Sequence, residues 1–188
     1  MVKFLTKRAK NGQASFWKLF ERDERGVSAI EFAMLFPLMV TMYFGSIDIS
    51  QVLTADRKTT ALASTMADLV AQADTLNRAD LDDIYAAAAE IISPFSATDL
   101  SIVVTSVEVD GAGDPVVGWS DAYHGSPRSS MGGLTIPNGM IADGGSVIVA
   151  EVSYLYDSII TKFVGNDFEL DDSFFLRPRK GDKVVFEP

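Results

Sequence analysis

From Val27 to Ile47 the chain is apolar except for one charged side chain, Glu31. A helix needs about 20 apolar residues to cross a bilayer, so a run of this length predicts a membrane-spanning helix. A carboxylate at the centre of such a helix costs about 2.5–3.5 kcal/mol on insertion scales, and less toward the interface, so an acid kept there is expected to have a function. Pro37 falls in mid-span, where it removes one backbone donor and bends the helix unless neighbours restore the loss. A bend of this kind fits two readings, a local unwinding that lets the helix leave the bilayer and an ordinary membrane kink. Gly45 and Ser46 are small enough to let helices approach closely, a weak packing signal.

Charge orients the span. Residues 1–25 hold seven Lys or Arg against three Asp or Glu, a net of +4, which leaves −14 on the remainder of a chain whose total is −10. Basic residues hold their end of a span in the cytoplasm, so the expected topology is N-terminus inside, with everything from Asp48 onward exported. An acidic exported domain has no basic face with which to displace phosphate counterions, and nucleic acid is excluded as a partner. The chain has no cysteine, which removes disulfides, thiolate catalysis and Cys-ligated zinc together without settling the compartment. A cleaved secretory signal fits poorly, because its apolar region is 7–15 residues long and ends in small residues of the Ala-x-Ala kind. The residue pattern alone therefore leaves an uncleaved anchor and a processed precursor as the main readings.

Gly26 lies five positions before Glu31, behind the basic leader, and Phe32 follows the acid. This arrangement resembles the processing site of type IV pilins, in particular the tight-adherence (Flp) branch. The wider stretch Gly26-Val-Ser-Ala-Ile-Glu-Phe-Ala-Met-Leu-Phe-Pro37 resembles the TadE-like group of pilus-assembly pseudopilins, with a weak echo in Phe174-Phe-Leu-Arg-Pro-Arg179. The resemblance implies a minor pilin or pseudopilin of TadE or TadF type, made as a precursor that a prepilin peptidase cuts between Gly26 and Val27. It makes Glu31 the fifth residue of the mature chain, where with Phe32 it sets subunit register by meeting the terminal amine of a neighbouring subunit. The implied partners are the prepilin peptidase, major and minor pilin subunits, the inner-membrane assembly platform and membrane lipid. Localisation follows as a single pass of the bacterial inner membrane with a periplasmic domain, and incorporation into an extracellular pilus is one outcome. The alternative is an uncleaved single-span factor that binds pilus or secretion components.

Chemistry agrees with those roles. Glycine breaks a helix and fits a narrow protease pocket, although a hinge would use it equally well. Once Val27 carries a free amine, Glu31 lies about one helical turn away on the same face. Attraction between the two grows as the dielectric falls, which drives a carboxylate in lipid to a partner.

The expected fold is α+β and pilin-like, a long membrane helix that continues into a small exported head with a second helix and an antiparallel sheet. The expected boundaries are 1–26 for the leader, 27–47 for the span, 48–73 for the exported continuation of the helix and 74–188 for the globular domain. No proline or glycine interrupts 48–73, and Leu62, Met66, Leu69, Val70 and Ala73 repeat at helical spacing. A helix over 27–73 would be about 70 Å long at 1.5 Å per residue, so its second half must pack on something outside the bilayer. Asn77 followed by Asp80 marks a second helix start, its apolar face is Leu81, Ile84, Tyr85, Ala88, Ile91 and Ile92, and Ser93-Pro94 ends it. Leu100–Val109 reads as a strand, Asp110–Pro115 as a turn and Val116–Trp119 as the returning hairpin partner. Ser146–Tyr156 reads as a second strong strand, with Glu151 and Ser153 toward solvent or an edge. Phe174–Leu176 and Lys183–Phe186 supply the last strand or strands. Ser120–Gly145, rich in Gly, Ser and Pro, reads as a long loop and a partner-contacting surface.

Enzyme and metal readings lack parts. His124 is the only histidine, and neither a nucleophile elbow nor a two-His spacing accompanies it. Asp80, Asp82 and Asp83 crowd a helix start, where the dipole accounts for them without a substrate. Asp167–Asp172 has acids in alternation but lacks the glycine and the terminal glutamate of a calcium loop, so it reads as an acidic turn; Asp110–Asp114 is not a phosphate loop. No catalytic residue, metal or cofactor is expected, and a tethered hydrolase is the weakest class. Arg177-Pro-Arg-Lys180 is a basic cluster in an acidic domain, open to pairing across a subunit boundary or within the chain.

Overall fold

The computed structural model describes residues 25–137, 139–141, 144–158 and 168–187. Helix α1 runs without a break over Arg25–Ala71, 47 residues. The chain divides into two compact units between Ile47 and Asp48, both within this helix. In the first unit the apolar side chains stand open: Phe32 is 61% exposed and Leu38 57%. This is the one helix among the described residues long and apolar enough to cross a membrane.

In the second unit the same helix turns a stripe inward. Ala55, Leu62, Ala63, Met66, Ala67, Val70 and Ala71 are all buried. Burying one such large side chain is worth about 1.5–3 kcal/mol relative to leaving it in water, so this stripe docks α1 into a core. A short strand, β1 (Thr75–Asn77), leads into helix α2 (Arg78–Ile92). The start of α2 is a capping box: the Asn77 side chain accepts from the Asp80 amide at 3.0 Å, and Asp80 accepts from the Asn77 amide at 2.9 Å. Leu81, Tyr85, Ala88 and Ile92 face the core, and the helix ends at Ser93-Pro94.

After a single 3-10 turn (Ala97–Asp99) come strands β2 (Leu100–Val109), β3 (Pro115–Tyr123), β4 (Ser146–Tyr156) and β5 (Phe168–Leu176), all antiparallel in the spatial order β3-β2-β4-β5. Alternation divides the sheet into two faces. Ile102 and Val104, with their register partners Val152 and Ala150, join both helices in the main core. Val107, Val147 and Val149 face the other way, into a smaller cluster closed by Met131, Leu134, Ile136, Met140 and Ile141. The final strand, β6 (Val185–Glu187), pairs in parallel with β1.

The fold class is α+β, as the sequence led us to expect, and β2 and β4 keep their expected limits. Three details differ. The hairpin partner extends past Trp119 to Tyr123, because the Ser120 hydroxyl bonds to Thr105 Oγ1 and to the Val104 carbonyl, both at 3.0 Å, and so holds the ladder together. The strand expected at Phe174 begins at Phe168, so the acids Glu169, Asp171 and Asp172 lie in β5 and not in a turn; Asp167 lies outside the described residues. Finally, the strand expected around Lys183–Phe186 does not join the large sheet but clasps β1, a three-residue strand with no sequence pattern of its own.

Candidate functional site

The first turns of α1 carry the residues singled out by sequence. Gly26 is helical, and a Cβ built on it would meet nothing within 4 Å among the described residues. Gly118 differs, since a Cβ there would sit 2.8 Å from the Glu108 carboxylate. The Gly26–Val27 bond lies within α1, beside its first described residue, Arg25. Glu31 is exposed, and none of the described residues forms an ion pair or hydrogen bond with its carboxylate. Phe32 stacks obliquely on Phe36 with ring centroids 5.6 Å apart. Val27, Ile30, Phe32, Met34, Leu35 and Phe36 are all more than half exposed, which makes Glu31 a single acid on an apolar cylinder.

Helix α1 continues through Pro37. The ring has no amide to offer the Ala33 carbonyl, yet no unwound segment results. The hydroxyls nearby are satisfied within the helix: Thr41 Oγ1 donates to the Pro37 carbonyl and Ser46 Oγ to the Tyr43 carbonyl, both at 2.8 Å. Polar groups closed on their own helix suit a medium without water.

This geometry has a counterpart among known proteins. A model of the TadE-like protein family matches residues 26–68. Over those residues the chain is similar to TadE-like proteins. The TadE-like segment opens at Gly26, takes in Glu31, Phe32 and Pro37, and ends at Asp68 on the core-packed half of α1. Comparison with curated proteins and with solved structures returned no match.

The remaining sequence candidates lie outside the TadE-like segment, and of those described Arg179 reaches it, at its last residue, Asp68. His124 sits at positive φ (50°) in an exposed turn with its ring stacked on Tyr123 at 3.9 Å. Asp110 caps its own turn by accepting from the Ala112 and Asp114 amides at 2.9 Å, and those bonds hold its carboxyl below the ordinary carboxylate value. Asp80 is spent on the capping box and Asp82 on an ion pair with Arg78 at 3.0 Å. Among the described residues no group of three or more His, Asp or Glu side chains is arranged to hold a metal ion. The basic cluster is engaged within the chain: Arg177 donates to the Met140 and Gly139 carbonyls at 2.6 and 2.7 Å, and Arg179 pairs with Asp68.

Three arrangements could not be read from the sequence. Arg78 and the Tyr85 hydroxyl converge on the buried carboxylate of Asp121. Burial, followed by the Asp121 charge, pushes the Tyr85 phenol well above its ordinary value. Arg128 grips both carboxylate oxygens of Glu151 and ties the 124–145 loop across the sheet, so Glu151 sits on an inner strand against a loop and not at an edge. The apolar side chains of that loop turn in toward Val107, Val147 and Val149. Asp48, the first acid after the apolar run, is only 4% exposed and accepts hydrogen bonds from Tyr156 Oη at 3.3 Å and from Ser158 Oγ.

Proposed function

We propose that this chain is a minor pilin or pseudopilin of a tight-adherence pilus, processed by a prepilin peptidase between Gly26 and Val27 and built with other subunits into the pilus or its initiating complex. The observation that carries the reading is the start of the TadE-like match at Gly26, the residue after which the cut would fall. Glycine within a helix is less favourable than alanine by up to about 1 kcal/mol, and no described residue comes within 4 Å of a Cβ built at Gly26, which supports recognition by another molecule as the reason for glycine there. Cleavage creates an ammonium on Val27, four residues from the exposed Glu31 and in reach of the same acid on a neighbouring helix. Pairing the two neutralises the charge that is costly in hydrocarbon and fixes the axial register of adjacent subunits.

On this reading the first unit lies in the bacterial inner membrane with the basic leader in the cytoplasm, and the second unit is the periplasmic head. Its partners are the prepilin peptidase, pilin subunits and the assembly platform, and the role is structural and not enzymatic. The test is the amino-terminal sequence and intact mass of the protein from membranes of cells that contain a prepilin peptidase, compared with Gly26→Ala. Alanine at 26 meets no atom of the described residues within 4 Å and favours the helix, so the variant is expected to keep the fold and isolate recognition. A start at Val27 that is lost in the variant supports the proposal. A start at Met1 in both proteins overturns it in favour of an uncleaved assembly factor.

A further inference from the structure

We infer that strand β5 is a docking edge for an extended segment of a partner protein, one in which Lys or Arg alternates with apolar residues. The inference stands on the head alone and needs neither the processing nor the membrane placement proposed above. In the order β3-β2-β4-β5, β5 has a neighbour on one side only. Among the described residues, none outside β4 forms a backbone hydrogen bond with residues 168–176. The Ser173 amide instead donates at 2.8 Å to Oδ1 of Asp172, the residue before it. That amide points away from β4, and because backbone groups alternate along a strand, those of Glu169, Asp171 and Phe175 point the same way. A row of unpaired donors and acceptors is a template for a further strand.

The two sides of the edge specify what that strand would carry. Asp171 and Ser173 are the register partners of Ser153 and Glu151, and with Glu169 they stand on the sheet face opposite the main core. They border an open groove of about 840 Å³ in which the one cation, Arg128, already grips Glu151. Glu169, Asp171 and Asp172 form no ion pair with a described residue, so the charge that would neutralise them has to come from a partner. On the other face Phe174 is 40% exposed. It lies beside a second groove, of about 390 Å³, formed with Ser64, Thr65 and Asp68 of α1, where Arg179 is paired with Asp68. An added strand sends alternate side chains to the two faces, which sets basic ones beside Glu169 and Asp171 and apolar ones beside Phe174. In this mode of recognition main-chain bonds give affinity and alternate side chains give specificity. Charges by themselves guard an edge against pairing, but a guarded edge has no use for an uncovered ring.

The probe is a fluorescein-labelled peptide of alternating lysine and valine, as long as β5, added to the full-length protein in nonionic detergent with empty micelles as the blank. A peptide of the same composition with all its lysines first is the comparison. Fluorescence anisotropy reads binding, and amide hydrogen exchange reads its place. We expect the alternating peptide to bind more tightly than the block peptide and to slow exchange in β5 and not in β3. Asp171→Lys, at an exposed position, should weaken that binding about tenfold. Ser173→Pro, which removes an outward amide and no bond to β4, should weaken it as well. Equal binding of the two peptides, binding that Asp171→Lys leaves unchanged, or binding without slower exchange in β5 overturns the inference and leaves only attraction to an acidic surface. Absence of binding overturns it too. Protection of the β5 amides before any peptide is added, lost on dilution, assigns the edge to a second copy and likewise overturns it.

Discussion

Replacing Arg128 with alanine should loosen one face of the head by about 1.5–3 kcal/mol. The guanidinium donates to both carboxylate oxygens of Glu151 and, at 2.7 Å, to the Gly132 carbonyl, while the Arg128 amide donates to Ser120 Oγ at 3.0 Å. The two paired side chains are 22% and 27% exposed, between the regimes with known costs. Fully exposed ion pairs are worth about 0–1 kcal/mol, and deleting one partner of a buried pair costs about 3–5 kcal/mol. Bidentate geometry places this pair above the surface value, and partial solvation of the orphaned Glu151 keeps it below the buried one. The assay is denaturant unfolding of the full chain in detergent, as a double-mutant cycle with Glu151→Ala, together with proteolysis within 124–145. Coupling of about 1–2 kcal/mol and faster cleavage of the loop are expected, because Arg128 anchors the segment that covers Val107, Val147 and Val149. Arg128→Lys should recover only part of the loss, since an ammonium cannot bridge both oxygens. A change within about 0.5 kcal/mol in Arg128→Ala, with unaltered cleavage, would refute the claim that this pair pins the loop.

Other outcomes follow from single side chains. Leu62→Ala, at a fully buried position, should cost about 2.5–5 kcal/mol, whereas Leu53→Ala on the open side of the same helix should stay within about 0.5 kcal/mol; equal losses by denaturant unfolding would mean that α1 is not part of the core. Tyr85 has its phenol raised in the folded state, so its contribution is complete below the unfolded value near 10 and is lost as pH rises through the folded one. Tyr85→Phe should accordingly flatten the fall of stability above pH 10, measured by unfolding at a series of alkaline pH values. Asn77→Ala removes the capping box and should cost about 1 kcal/mol, with Asn77→Asp close to neutral. Glu31→Gln should leave cleavage after Gly26 intact but lose co-purification with pilin subunits, and retained co-purification would remove the ion-pair role of the acid.

Much of the frame was legible because it depends on local signals. A long apolar run without glycine or proline beyond Ser46, the Asn77–Asp80 cap and the β-branched runs at Leu100 and Ser146 each specify an element from their own residues. What remained hidden depends on partners distant in sequence. β1 is three residues long and exists because β6 pairs with it, and the acids of β5 disguise a strand because that strand is an edge with polar neighbours. The loop over 124–145 has no period, since Met131, Leu134, Ile136 and Met140 meet the sheet one at a time. At the candidate site, Gly26, Glu31 and Pro37 stood out by their place in an apolar run. Asp48 did not, for only the folded chain reveals that its carboxylate meets Tyr156 and Ser158 and not water.

The buried row from Ala55 to Ala71 makes this stretch of helix α1 a peg driven into the head. A load applied along it falls on Leu62, Met66 and Val70, so withdrawing the stretch would expose the row and open the core. The head cannot give up this part of its helix and stay folded.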